Sequence, residues 1–486
     1  MCYYKTDINK MIVRRIAFNT IISIIARILG TVIALVNIGF ITRYLGKDIF
    51  GEYVTILAFV SIFSIIADFG LYSLLVRDIS RPGADEKKII GNIFSLRLIS
   101  LIIVLGTAVG ISLFFPYRAV VKSGVIIGAF SFFFLSSSQA LIGIFQKYLR
   151  MDRVALAEII GRIVNLALVI WFIQMKLGFL WIVAALALGS FVNFAVTFLY
   201  ARRFVPIVLQ FDFVFWKKIF KEALPIAISI ALTAVYFKVA IILLSIMKPA
   251  DHVGIYGAAY KVLENLIFFP AMFVGVMMPL LSGYAISNKE KFKFIFQKSF
   301  DIIALAAMPV VFGVVASAKS IILLIGGSDF LTDTPLVLQI LAFAVIFIFF
   351  GNLFGNSIIA LGRQKTAAWI YGGGAIFSIA ANIIMIPKYS YFGAAVSTIF
   401  TEMLVTILML VLIYQSINFF PSMKTAFKAL AGSLVMYAAL SFIGDLNLLW
   451  DISIGAVIYC IVIYLLRALN RNDLALFFKT GERIKL

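Results

Sequence analysis

Five cationic side chains lie inside otherwise apolar stretches: Arg27, Arg97, Arg162, Lys238 and Lys261. Four acids share that setting, Asp68, Glu158, Glu264 and Glu402. A charge at bilayer depth costs about 2.5–3.5 kcal/mol on insertion scales, so each must face protein, water or a ligand. Two combinations can satisfy themselves. Glu158 and Arg162 are spaced i, i+4 with the acid first, and Lys261 and Glu264 are spaced i, i+3, so each can close an ion pair along one helix. Arg27, Arg97 and Lys238 have no acid at helical spacing and need one from another helix, or an anionic ligand. Arg97 lies nearer a span end, where snorkelling to the interface is the stronger expectation. The cation surplus points to an anionic substrate, and arginine suits phosphate because its planar fork binds two oxygens at once. Arg27, Lys238, Lys261, Arg97 and Arg162 are therefore the candidate substrate-binding residues. Asp68, Glu264, Glu158 and Glu402 are the candidates for ion coupling, since a buried carboxylate can exchange a proton or hold Na+.

Catalytic signatures are missing from this pattern. No phosphate-binding loop, catalytic carboxylate pair or nucleophile elbow occurs, so the chain does not read as an enzyme. His252 reads as a loop residue, and Cys2 and Cys460 build neither a disulfide framework nor a metal site. No cofactor or metal is expected.

The elements that must position these charges are transmembrane helices. The 486 residues are 63% hydrophobic and 13% charged, with a mean hydropathy of +1.09. No soluble domain of this size has that balance. The apolar runs are about 20 residues long, the length of a spanning helix and twice that of a barrel strand. Spans are expected at 16–41, 53–75, 89–115, 123–146, 154–174, 178–200, 223–246, 254–283, 299–317, 335–361, 366–387, 391–415, 425–443 and 449–467. The first run extends to about Phe40, longer than a signal-peptide core, and reads as a retained span. Pro225, Pro270, Pro279 and Pro309, with Gly372, Gly373 and Gly374, are the expected bends.

Loop charge supplies the topology. Of 42 Lys and Arg, 29 fall in alternate connections and termini, counting Lys428 and Arg467 at the span ends that adjoin them, 8 in the connections between them, and 5 deeper inside spans. Lys and Arg near span ends are retained on the cytoplasmic side, so the alternation predicts fourteen spans in the cell membrane with both termini cytoplasmic. The net charge of +20 is then topogenic charge against anionic lipid headgroups, and no nucleic-acid partner is expected.

The expected organisation is an N-terminal six-helix bundle over 1–202, a cytoplasmic linker over 203–222, a second six-helix bundle over 223–420, and two further helices with a cytoplasmic tail over 421–486. Within the linker, FVFWKKIFKEAL sets apolar residues beside Lys217, Lys218 and Lys221, the pattern of a short amphipathic interfacial helix. A weak internal repeat relates RYLGKDIFGEY after span one to MKPADHVGIYGAAY after span seven, and parallel repeats are common in transporters.

Several stretches, in order, carry a family resemblance: TRYLGKDIFGEY at 42–53, ADFGLYSLLVRDIS at 67–80, FWKKIFKEALPIAIS at 215–229, VGIYGAAYKVLENLIFFP at 253–270 and MPLLSGY at 278–284. GNSIIALGRQK and YFGAAVSTIFTE follow. With them the chain resembles, over nearly its whole length, the Wzx-type polysaccharide-biosynthesis flippases of the multidrug/oligosaccharidyl-lipid/polysaccharide exporter superfamily. The resemblance implies an all-α membrane protein of two pseudo-symmetric six-helix bundles plus two C-terminal helices. It also implies a polyprenyl-pyrophosphate-linked oligosaccharide as substrate, flipped from the cytoplasmic to the outer leaflet by alternating access, with cations such as Arg27, Lys238 and Lys261 in the cavity. Implied partners are that substrate, membrane lipids, Na+ or H+ as a coupling ion, and a glycan polymerase or glycosyltransferases. Many relatives have an acid or arginine late in span seven where this chain has Lys238 in YFKVAIILLS, which leaves the coupling ion open. A multidrug antiporter of the same superfamily would need acids to dominate its cavity. A peptidoglycan-precursor (lipid II) flippase shares the cation logic, while the quoted motifs favour the polysaccharide group. A membrane glycosyltransferase or polymerase would need sizeable external loops, and here they are short.

Overall fold

The computed structural model describes residues 2–444 and 447–468. The basic C-terminal tail expected from Arg471, Lys479, Arg483 and Lys485 lies outside the described residues. Among these residues every regular element is helical. In chain order the α-helices are α1 (Cys2–Ile66), α2 (Leu71–Ile79), α3 (Glu86–Ser112), α4 (Ala119–Lys147), α5 (Met151–Gln174), α6 (Phe179–Ala201), α7 (Phe213–Met247), α8 (Ala250–Leu266), α9 (Phe268–Ser287), α10 (Lys289–Ala316), α11 (Ala318–Gly326), α12 (Thr334–Ala360), α13 (Gln364–Ile417), α14 (Lys424–Ile443) and α15 (Leu448–Leu465), with one 3-10 turn at Ser328–Phe330.

Twelve segments among the described residues are long and apolar enough to cross a membrane. Two are double length. Ile25–Ile66 has 42 residues and leaves helical geometry at Gly46 (φ 65°, ψ 175°). Gln364–Ile417 has 54 residues and does so at Ser390 (φ 51°, ψ −130°), just after Pro387. A crossing needs about 20 residues, so each long segment holds two and the twelve segments make about fourteen crossings. The chain is a multi-pass helical membrane protein.

Local geometry departs from the expected spans in three places. The stretches 42–52 and 388–390 read as loops, yet each reduces to a break at one residue with helix on both sides. The span at 53–75 is interrupted between Ile66 and Leu71, with Phe69 at φ 47° and Gly70 at φ 71°. The span at 254–283 is divided into α8 and α9 around Ile267, which places Pro270, with no N–H to continue a ladder, in the first turn of α9. The amphipathic stretch is helical as expected, but it forms the opening turns of α7 and not a separate helix. Asp212 caps it, accepting from the backbone N–H of Val214 at 3.1 Å and Phe215 at 3.0 Å.

The chain divides into two compact units. The first comprises Met1–Gly257 with Ile325–Asp329 and Asn382–Ser390; the second comprises Ala258–Leu324, Phe330–Ala381 and Tyr391–Leu486. The first has a buried apolar cluster joining α2 (Leu71, Leu74, Leu75, Ile79), α3 (Ile90, Ile93, Phe94) and α4 (Leu141, Ile144, Phe145) to Ile219 and Ala223 of α7. In the second, Met436 and Leu440 of α14 meet Tyr459 and Ile463 of α15, and the Tyr459 hydroxyl donates to the Leu305 carbonyl of α10 at 2.9 Å.

Gly51 of α1 and Gly254 of α8, both in the first unit, allow two helices to touch backbone to backbone. A Cβ on Gly51 would sit 1.7 Å from the Ala250 carbonyl oxygen, and one on Gly254 would sit 2.0 Å from that of Lys47. These glycines belong to the two copies of the weak repeat, FGEY and VGIYG.

Candidate functional site

Three of the intramembrane charges meet where α1 packs on α5. Arg162 closes the helical pair read from its spacing, with Nη2 and Nε at 2.8 and 3.1 Å from Oε1 of Glu158. Its Nη1 also donates to the Gly30 carbonyl at 3.2 Å. Glycine at position 30 makes room for this, since a Cβ there would lie 3.2 Å from Arg162 Nε. Arg27, which has no acid at helical spacing, finds Glu158 across the helix pair, Nη1 to Oε1 at 3.7 Å. One carboxylate thus serves two guanidiniums. The Arg27 side chain is 46% exposed.

A second cluster forms where α1 gives way to α2. Asp68, at the break, pairs with Arg97 of α3. The Arg97 side chain is 1% exposed, so the expected snorkelling is overturned: the chain break delivers a carboxylate to it inside the bundle. Its Nη2 reaches the Ser136 carbonyl at 3.4 Å, and Ser136 Oγ lies 2.6 Å from Ser64 Oγ. The Ser100 hydroxyl donates to the Ala67 carbonyl at 2.9 Å, taking up a backbone acceptor at the break. The signal for this hydroxyl set was the run Ser136, Ser137, Ser138 in an apolar helix.

Lys238 is half-buried on α7, a helix packed on α1 within the first unit. In the second unit, Lys261 and Glu264 pair on α8 at 2.7 Å, as their spacing predicts, and Asn265 donates to the Lys261 carbonyl at 2.8 Å. Glu402 is buried on α13, next to Thr401, whose hydroxyl donates to the Ser397 carbonyl at 2.7 Å. His252 opens α8, not a loop, with Nδ1 at 2.6 Å from Ser390 Oγ. No group of three or more His, Cys, Asp or Glu that could hold a metal occurs among the described residues.

Sequence reasoning missed a polar clasp at the helix ends joining α2, α3, α4 and α7. Arg77 Nε bonds Asp78 at 2.8 Å while its Nη2 bonds Glu222 at 2.5 Å. Lys147 bonds Glu86 at 2.7 Å and the Ile79 carbonyl. The stretch before α7 is tied down by Asn92, whose Oδ1 accepts from Asp212 N at 2.8 Å and whose Nδ2 donates to Gln210 at 3.1 Å. Ser95 Oγ accepts from Gln210 N at 3.0 Å, and Lys88 pairs with Asp212 at 2.9 Å. The Phe215 backbone N–H, then Lys88, hold the Asp212 carboxyl below the usual range. The signal available was the acids Asp78, Glu86, Asp212 and Glu222 embedded in basic loops, which the count of positive residues passed over.

Comparison with known proteins places this arrangement in context. Residues 16–285 match the profile of the family described as "Polysaccharide biosynthesis protein". Among curated relatives, the "Probable low-salt glycan biosynthesis flippase Agl15" of Haloferax volcanii is 24% identical over 388 residues, 77% of this chain and 78% of that protein. Among solved structures, the lipid II flippase MurJ in an inward closed conformation has the same fold, with a TM-score of 0.76, 16% identity, and coverage of 93% of this chain and 99% of that one. An inward-facing multidrug resistance MATE family transporter follows at TM-score 0.61 and 14% identity, covering 88% of this chain and 100% of that one.

Proposed function

The chain belongs to the polysaccharide biosynthesis protein family, and on that footing we propose that it flips a polyprenyl-pyrophosphate-linked oligosaccharide across the cell membrane. The observation that carries the reading is the α1–α5 cluster, in which Arg27 and Arg162 converge on the single carboxylate of Glu158. Within the spans of the first unit the sequence sets four cations, Arg27, Arg97, Arg162 and Lys238, against two acids, Asp68 and Glu158. That surplus of two positive charges matches the two negative charges of a pyrophosphate diester. The guanidinium forks of Arg27 and Arg162 bind its oxygens in place of Glu158, and Lys238 adds a point charge. Lys261 and Glu264 serve the same traffic in the second unit.

Saccharide is too polar to cross hydrocarbon, so protein must line its path while the prenyl chain stays in lipid. With the basic loops cytoplasmic, both termini are cytoplasmic and transport runs outward by alternating access. Moving two negative charges out through an inside-negative potential of about 100 mV releases about 4–5 kcal/mol, enough to bias the cycle without a coupling ion. A Na+- or H+-coupled cycle instead works through Asp68, Glu158, Glu264 or Glu402, and must release Asp68, Glu158 or Glu264 from its ion pair before using it. The chain acts as a transporter without covalent chemistry, receiving substrate from glycosyltransferases and delivering it to a glycan polymerase.

The test is translocation in vesicles containing the purified protein and a lipid-linked oligosaccharide, read as glycan becoming accessible to an added glycosidase under an imposed potential. Wild type is expected to expose the glycan, with Arg27→Ala and Arg162→Ala slowed at least tenfold. Equal exposure in protein-free vesicles, or an unchanged rate after the potential is collapsed with ion gradients controlled, contradicts the field-driven flippase.

A further inference from the structure

A cavity of about 210 Å³ opens beside the α1–α2 break, next to the Asp68–Arg97 cluster and lined by neither of its charges. Phe69, Leu71, Leu96, Ile99, Ile103, Val104, Phe220 and Ala223 give it apolar walls, and its one hydroxyl, Ser100, is spent on the Ala67 carbonyl at 2.9 Å. A void without polar partners does not hold water. Leu96 to Val104 extends about 12 Å along α3 at 1.5 Å per residue, so the cavity is elongated along the helix. Its rim faces outward: Ile103 is 61% exposed and Phe220 47% exposed, in a chain whose exposed apolar surface meets lipid.

The charge above the rim is one-sided. Lys217, Lys218 and Lys221 are all exposed on the opening turns of α7, and Lys217 lies about 4.5 Å along the axis from Phe220. The neighbouring acid, Glu222, is neutralised by Arg77 at 2.5 Å. Phe211, just before that helix, and Phe213, at its start, are exposed, the composition of an interfacial anchor.

We propose that this feature is a resident phospholipid site: one acyl chain of an anionic bilayer phospholipid lies in the α2–α3–α7 cavity, and its headgroup phosphate rests on Lys217 and Lys221. Its occupant is a structural lipid and not the transported molecule, because the intramembrane arginines take no part in it. The ordered chain props the α1–α2 break against α7, the joint that sets Asp68 on Arg97.

The experiment titrates delipidated full-length protein with dioleoyl phosphatidylglycerol or dioleoyl phosphatidylcholine and counts bound lipid by native mass spectrometry. Wild type is expected to hold one phosphatidylglycerol tightly and phosphatidylcholine weakly. Lys217→Ala with Lys221→Ala weakens phosphatidylglycerol about 30-fold, from about 1 kcal/mol per surface lysine. Val104→Trp, which fills the cavity from its rim, removes the tight site, whereas Ile102→Trp, at a 62% exposed position off the cavity, keeps it. Undiminished phosphatidylglycerol binding by Val104→Trp, equal binding of the two lipids by wild type, or displacement of a prenyl-linked saccharide by Val104→Trp overturns the proposal.

Discussion

Gly51 and Gly254 pack reciprocally, each against the carbonyl four residues before the other: Gly51 on Ala250, Gly254 on Lys47. The contact has local two-fold symmetry and uses corresponding glycines of the two repeat copies. Overpacking at a rigid contact costs about 1–3 kcal/mol, and here backbone blocks the methyl, so Gly254→Ala should fall at the top of that range. Unfolding in mixed micelles measures it. A variant as stable as wild type would show that the helices separate freely.

Arg97 is buried in its pair with Asp68, whose own side chain is 23% exposed, and removing one partner strands a charge. Asp68→Asn and Arg97→Met should each lose about 3–5 kcal/mol, while the double variant Asp68→Leu with Arg97→Met should recover most of it. Chemical denaturation of the three variants gives the comparison. Single losses below 1 kcal/mol would mean that the pair is solvated.

The Arg27–Glu158–Arg162 cluster should behave in the opposite way. Its side chains are about a third to a half exposed, and in the water-filled cavity proposed for them such ion pairs contribute about 0–1 kcal/mol. Glu158→Gln is therefore expected to change stability little, yet to bind a pyrophosphate-linked lipid several-fold more tightly because the competing carboxylate is gone. Weaker binding, measured by the same lipid titration at fixed ionic strength, would assign Glu158 a direct positive role.

Asp212 supplies a pH dependence. Its carboxyl is held below the ordinary value by the Phe215 N–H and Lys88, so its folded pKa lies under its unfolded one, about 3.9. The stabilisation is then complete above pH 4 and lost as pH falls through the depressed folded pKa. Hydrogen exchange over 205–215 should be flat from pH 7 to 5 after correction for intrinsic rates, and protection should fall below pH 4. Asp212→Asn should be less protected at neutral pH and flat throughout.

Much of this was legible in the chain because it is local or periodic. Loop charge gave the crossings, since retention of Lys and Arg acts span by span. Arg162 with Glu158 and Lys261 with Glu264 were legible because i, i+4 and i, i+3 fix proximity along one helix. Arg97 was misread because its acid lies 29 residues away, behind a break that Phe69 and Gly70 create at positive φ. Helical continuity across 42–52 was hidden because Gly46 reads as a loop residue but kinks the helix only at one point. The Gly51–Gly254 contact was half visible, as a repeated motif without a stated reason for the glycine.

The most direct measurement is native mass spectrometry of gently purified protein, wild type beside Arg27→Ala with Lys238→Ala, to identify co-purified lipid. The account predicts a polyprenyl-pyrophosphate saccharide on wild type and its loss from the double variant. Retention of that lipid by the double variant, or saturable binding of cationic drugs with no such lipid on wild type, would contradict it.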